Sequence, residues 1–166
     1  MELYVLRHAI ALTAAEAGVR DDSERPLSTE GREKMNRIAA AMKHVGIEVD
    51  LILSSPFVRA KETATIAHDA VARGSCLEFT TALASGADGK LIIAELKQRF
   101  RTAELIMIVG HEPDLSSLIA QITGLGRGQV EMKKGGLAKI SIHAHSRELD
   151  GALEWLVPPK IFLHIK

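Results

Sequence analysis

The chain has 166 residues, 46% hydrophobic and 25% charged, which suits one soluble domain with a sizeable core. Lys plus Arg (21) equals Asp plus Glu (21), so no net field recruits nucleic acid or an anionic membrane. The one cysteine, Cys76, excludes an internal disulfide and lacks the spaced partners of a zinc site. Met1-Glu2-Leu3-Tyr4 carries no basic region, and no apolar run reaches the length of a membrane span, so a cytoplasmic location is expected.

Apolar runs rich in Val, Ile and Leu alternate with segments of helical period, the α/β pattern. Leu3–Leu6 is predicted as a strand that runs straight into Arg7 and His8. Ala9 to Pro26 is polar and broken, a loop beside that strand end, with Arg20, Asp21, Asp22 and Glu24 read as a solvated face. Ser28 or Thr29 caps a helix whose Met35, Ile38, Ala39, Met42 and Val45 share one side, and Gly46 ends it. Leu51–Leu53 is a second strand. Ser55 and Pro56 supply an N-cap and first-turn proline for the next helix, which buries Ala60, Ala64, Ala67 and Val71. Leu77–Thr80 has a fainter strand pattern, and a third helix from near Asp88 buries Ile92, Leu96 and Phe100. Leu105–Val109 is a strand, followed from Pro113 to Gly124 by a helix presenting Leu115, Leu118, Ile119 and Ile122. Gly124 to Gly136 is a second loop whose role is not legible. Strands follow at Leu137–Ile142 and, more faintly, at Leu153–Val157 and Ile161–Ile165. The expected fold is a single three-layer α/β/α domain over residues 1–166, its central sheet mostly parallel with helices on both faces.

Three strand ends carry the chemistry. Open α/β sheets build their sites at the carboxyl edge. Arg7-His8 follows the first strand, Ser54-Ser55-Pro56-Phe57-Val58-Arg59-Ala60 the second, and Val109-Gly110-His111-Glu112-Pro113 a third. One Arg-His pair alone favours a buried structural histidine; two histidines and two arginines, each at a strand end, describe a phosphoryl pocket with a nucleophile inside. Arg7 and Arg59 can each hold two phosphoryl oxygens through fork geometry. His8 is the candidate nucleophile, because a neutral imidazole attacks phosphorus and nearby positive charge disfavours its protonation. His111 is the candidate donor to an equatorial oxygen. No metal or organic cofactor is needed. Arg25, in Arg25-Pro26-Leu27-Ser28, is either a further clamp or a solvated surface charge. His44, His68, His143, His145 and His164 read as ordinary structural or surface residues, and His143 with His145 lacks further ligands for a metal.

These segments, with Arg25-Pro26-Leu27-Ser28-Thr29-Glu30-Gly31, stand in the order found in the histidine phosphatase superfamily. The finer resemblance is to its short branch of SixA-type phosphohistidine phosphatases, from the first residues to about Gly124. The resemblance implies a phosphoglycerate mutase-like fold, a phosphorylated His8, and a phosphate pocket lined by Arg7, Arg25, Arg59 and His111. Ala9 stands where the superfamily more often has glycine, and Glu62 where it has glutamine. Many members place an acid between the Arg59 and His111 segments; here that region offers Asp88 as the possible general acid, which serves equally well as a helix cap. The expected substrate is phosphohistidine on a protein, such as a histidine-containing phosphotransfer domain of a signalling relay, with inorganic phosphate released. The alternatives are a phosphomonoesterase acting on a small phosphorylated molecule, and a module that binds phosphorylated partners without turnover. Retention of both histidines argues against the last.

Overall fold

β1 (Glu2–Arg7) is buried along its length because both of its faces are covered, and its side chains alternate between two cores. Tyr4 and Leu6 face one, Leu3 and Val5 the other. The same alternation runs through β4 (Leu105–Gly110), where Met107 and Val109 oppose Ile106 and Ile108. These are near-continuous apolar strands, the pattern of a sheet sandwiched between helices. A computed structural model describes residues 1–126, 128–143 and 148–165.

The sheet has six strands in the order β3-β2-β4-β1-β5-β6, with β2 at Val49–Ser54, β3 at Ala72–Phe79, β5 at Leu137–Ile142 and β6 at Gly151–Val157. The first four strands in that order pair in parallel, while β5 and β6 add an antiparallel edge. On one face lie α2 (Thr29–His44) and α3 (Val58–Val71), burying Met35, Ile38, Met42, Ala60, Ala64 and Ala67. On the other lie α4 (Gly89–Arg99) and α5 (Asp114–Thr123), burying Ile92, Leu96, Leu115, Leu118, Ile119 and Ile122. The chain is thus a three-layer α/β/α fold. Far along the antiparallel side, Tyr4, Lys139 and Trp155 lie in register across β1, β5 and β6. The Tyr4 and Trp155 rings meet at a tilt, 6.2 Å between centroids.

Some expectations need correction. Ile161–Ile165 is not a strand: Pro158 and Pro159 lead into a short helix, α6 (Pro159–Phe162). Proline at the first helical position loses no hydrogen bond, whereas it cannot donate to a ladder. Val45 is 51% exposed, because it is the C-cap of α2, just past the last turn that the core covers. Ser55-Pro56 does not cap a helix that starts at once; α3 begins at Val58, and the Ser55 hydroxyl accepts the Phe57 N–H at 3.3 Å. The segment Ala9–Pro26 is more ordered than a loop. It holds a one-turn helix, α1 (Ala14–Ala17), and a 3₁₀ turn at Asp22–Glu24, and Ala9 itself is buried.

Candidate active site

β1, β2 and β4 are neighbours in the middle of the sheet, so their carboxyl ends deliver consecutive residues to one place. The His8 N–H donates to Gly110 O at 3.1 Å and the Ser55 N–H to Val109 O at 2.9 Å, extending both ladders past the strand ends. His8 and His111 thereby come together at a tilt of 53°, their ring centroids 5.0 Å apart. Phe57 leans on His111 with centroids at 5.0 Å, and the Arg59 guanidinium lies 5.1 Å from the Phe57 ring. Arg59 sits in the first turn of α3. Thr63, one turn later, accepts the Ala9 N–H at 3.1 Å and donates to Arg59 O at 2.7 Å, tying the helix to the end of β1.

Polar burial is concentrated here. Among the described residues, the buried polar or charged side chains are His8, Ser54, Ser55, Arg59, Thr63 and His111. Burying such groups costs free energy unless they are paired, so their gathering at one edge marks a site and not a packing accident.

The hydrogen bonds set the ring states. Nδ1 of His8 donates to Ala9 O at 2.7 Å, which leaves Nε2 with its lone pair. Burial pushes the His8 ring down to about 3, against the Ala9 hydrogen bond, with His111, Arg59 and Arg7 adding to the depression. His8 is therefore neutral at neutral pH. Burial also takes His111 to about 4, helped most by Arg59. Nε2 of His111 shares a 2.8 Å hydrogen bond with the Ser55 hydroxyl. That hydroxyl accepts from Phe57 and keeps one donor and one further lone pair; when its proton points to Nε2 of His111, the ring N–H lies on Nδ1.

Among the described residues, buried side-chain nitrogens without a hydrogen-bond partner cluster in this same constellation: Nε of Arg7, of Arg25 and of Arg59, and Nδ1 of His111. Native proteins leave few such groups unpaired, and three guanidiniums gathered beside an imidazole have the chemistry that suits an anion. The remaining arms are anchored. Arg7 Nη1 donates to Met132 O at 2.7 Å and Arg25 Nη1 to Leu12 O at 3.0 Å.

Several supporting residues escaped the sequence reading. Asp22, expected on a solvated face, accepts from Arg59 through its backbone oxygen at 2.6 Å and its carboxylate at 2.8 Å. The same carboxylate lies 2.8 Å from Arg25 Nε as an ion pair. Partial burial raises the Asp22 carboxyl, but Arg59 and Arg25 outweigh it and hold the group below the usual carboxylate range. Glu62 accepts the Leu27 N–H at 2.7 Å and pairs with Arg32 at 2.7 Å, pinning the segment that carries Arg25. The Gly124–Gly136 loop also gains a role. Besides Met132, Gly135 N donates to the backbone oxygens of Arg7 and His8, and Arg7 N donates to Gly136 O. The spacing of Asp22 three residues before Arg25, and of Thr63 one turn after Arg59, was the available signal.

Asp88 caps α4, accepting the Lys90 N–H at 2.9 Å, and is exposed; its described contact is the cap and not the histidine pair. His143 lies 3.2 Å from Asp150, while His145 falls outside the described residues. Among the described residues no group of three or more His, Cys, Asp or Glu is placed to hold a metal.

A sheet edge bearing two neutral histidines among arginines defines a class, and the chain belongs to the histidine phosphatase superfamily. Residues 3–84 match the family described as histidine phosphatase superfamily (branch 1). Within it the chain is similar to phosphohistidine phosphatase SixA of Escherichia coli K12, 29% identical over 124 residues, 74% of each chain. It is 30% identical to an uncharacterized protein of Picosynechococcus sp. across 98% of this chain and 99% of that one. Among solved structures, protein histidine phosphatase SixA complexed with tungstate superposes with a TM-score of 0.85 at 23% identity, covering 97% of this chain and 99% of the other. A putative alpha-ribazole-5'-P phosphatase from Escherichia coli K-12 superposes with a TM-score of 0.75 at 19% identity, covering 96% and 98%. At these identities the structural likenesses speak for the fold.

Proposed function

We propose that the protein hydrolyses phosphohistidine on a protein, such as a phosphotransfer domain, through a phosphoryl-enzyme intermediate on His8. The observation that carries this reading is a neutral imidazole with a free Nε2, beside arginine and histidine N–H groups that lack acceptors. Arg7, Arg25, Arg59 and Nδ1 of His111 hold the phosphoryl oxygens. Each charge-assisted hydrogen bond contributes about 1.5–3 kcal/mol, and more where charge builds in the transition state. Nε2 of His8 attacks phosphorus while the bond to the substrate imidazole breaks, and that imidazole takes a proton from solvent. Water then attacks the phosphoryl-His8, releasing inorganic phosphate and the neutral ring. The guanidiniums neutralise the charge, so this chemistry calls for no metal.

The positions of Asp22 and Asp88 favour a substrate that needs no proton donor. Asp22 is held ionised by two arginines, and Asp88 is engaged as a cap. An alkoxide needs protonation to leave, whereas the P–N bond of phosphohistidine releases a stable imidazole. The similarity to SixA supports the same reading.

The test is a substrate panel combined with trapping. The parent enzyme should cleave phosphohistidine protein and an activated aryl phosphate, and cleave phosphoserine peptide and sugar phosphates poorly. His8→Ala should lose turnover completely while its circular dichroism stays unchanged, and quenched parent should carry base-stable, acid-labile phosphate on His8. Efficient turnover of a small alkyl phosphate that collapses in Asp88→Asn would install a phosphomonoesterase with Asp88 as its acid.

A further inference from the structure

A cavity of about 490 Å³ counts Ala9 and Gly135 among its lining residues. Ala9 directly follows His8, and Gly135 is the residue whose N–H clasps the backbone of Arg7 and His8. Its rim is cationic: Lys34 and Arg37 from α2, Lys134 from the loop before β5, and Lys160 from α6, with His164 just beyond. No carboxylate among the described residues lines it, in a chain whose charges balance overall. Lys34 is paired with Glu30 outside the cavity and Arg37 donates to Leu163 O at 2.9 Å, but Lys134 and Lys160 stand exposed. The floor is apolar, formed by Ile10, Ile38 and Leu163.

We propose that this cavity is a docking subsite for an acidic segment of the phosphoprotein substrate, flanking the phosphorylated histidine. The inference rests on the proposed function and deepens it. Three elements contribute the cations, so a peptide with carboxylates every few residues meets them in turn, while one apolar side chain enters the floor. Ala9, next to His8 in the chain, relates the cavity to the proposed phosphoryl site. Such complementary charge sets partner choice and encounter rate more than chemistry. The subsite therefore acts on KM and leaves kcat alone.

The experiment compares three substrates: a phosphohistidine octapeptide flanked by Glu and Leu, the same peptide flanked by Lys and Leu, and free phosphohistidine. Parent and Lys134→Glu/Lys160→Glu enzyme are assayed with each. For the acidic peptide the double variant should raise KM about tenfold, and the parent KM should climb with salt more steeply than that of the variant. Free phosphohistidine should be hydrolysed equally by both enzymes. Equal KM for the acidic and basic peptides, or an equal loss on free phosphohistidine, would overturn the subsite. A second arm measures binding of the unphosphorylated acidic peptide by fluorescence anisotropy, with citrate as competitor. Peptide binding that the double variant abolishes supports the subsite even if phosphohistidine turnover fails in every form, the result that would reject the proposed reaction instead. Citrate binding without peptide binding would overturn it.

Discussion

Asp22 meets Arg59 with two acceptors, and Arg59 is almost fully buried while Asp22 is 60% exposed. The arginine cannot leave; the aspartate can. With phosphate on Arg59 as proposed, this carboxylate would compete for the same guanidinium, and a substrate would have to displace it or share the fork. Asp22→Asn keeps the backbone acceptor and removes the competing charge. The variant should bind inorganic phosphate and tungstate several-fold more tightly, read as inhibition constants. The exposure of Asp22 keeps the gain well below the value of a buried pair; unchanged inhibition would show that the contact is open in solution. The two histidines make a second statement at this scale. Both rings have folded values, about 3 and about 4, below the unfolded value of 6.5. Between those limits the unfolded chain binds protons that the native chain excludes, so stability falls as pH drops from about 6.5 to about 4, by up to about 1.4 kcal/mol per pH unit per ring. Urea midpoints of the parent should decline across that window, and those of a His8→Gln/His111→Gln variant should decline much less. Turnover should show no enzyme-side acid limb from His8 above about pH 4, which a pH profile of kcat on an aryl phosphate would check.

At the scale of elements, α2 and the segment after β1 are held together by a contact that admits no side chain. The Ile10 carbonyl accepts the Ser28 N–H at 2.9 Å, and a Cβ on Gly31 would stand 1.9 Å from the same oxygen. Gly31→Ala forces the helix away from backbone, so it should destabilise by about 1–3 kcal/mol. Activity should also fall, because Ala9 and Arg25 ride on that segment; a thermal melt beside a kinetic assay would register both. Elements were legible where period and punctuation agreed, as in α2, with its Ser28 cap, and in the apolar β1 and β4. They were not legible where an apolar run was short. Ile161–Ile165 has the composition of a strand, but Pro158 and Pro159 decide for a helix. The Gly124–Gly136 loop was silent because it acts through main-chain atoms, which its side chains do not advertise.

The molecule as a whole places its chemistry where non-adjacent chain segments meet. His8, Arg59 and His111 were legible because each follows an apolar strand, and strand ends are predictable positions. Asp22, Ser55 and Thr63 were hidden, since their partners lie far away in sequence and only the folded sheet introduces them. The site accordingly exists only while the sheet does. The tilted pair of Tyr4 and Trp155, at the antiparallel side, offers a way to watch this. Trp155 is the one tryptophan of the chain, so its emission reports on the β1-β5-β6 end and nothing else. Turnover reports on β1, β2 and β4. In a guanidinium titration the two signals share β1, and their midpoints should coincide; a red shift of the indole that precedes the loss of turnover would reveal an antiparallel edge that peels from a still-working enzyme.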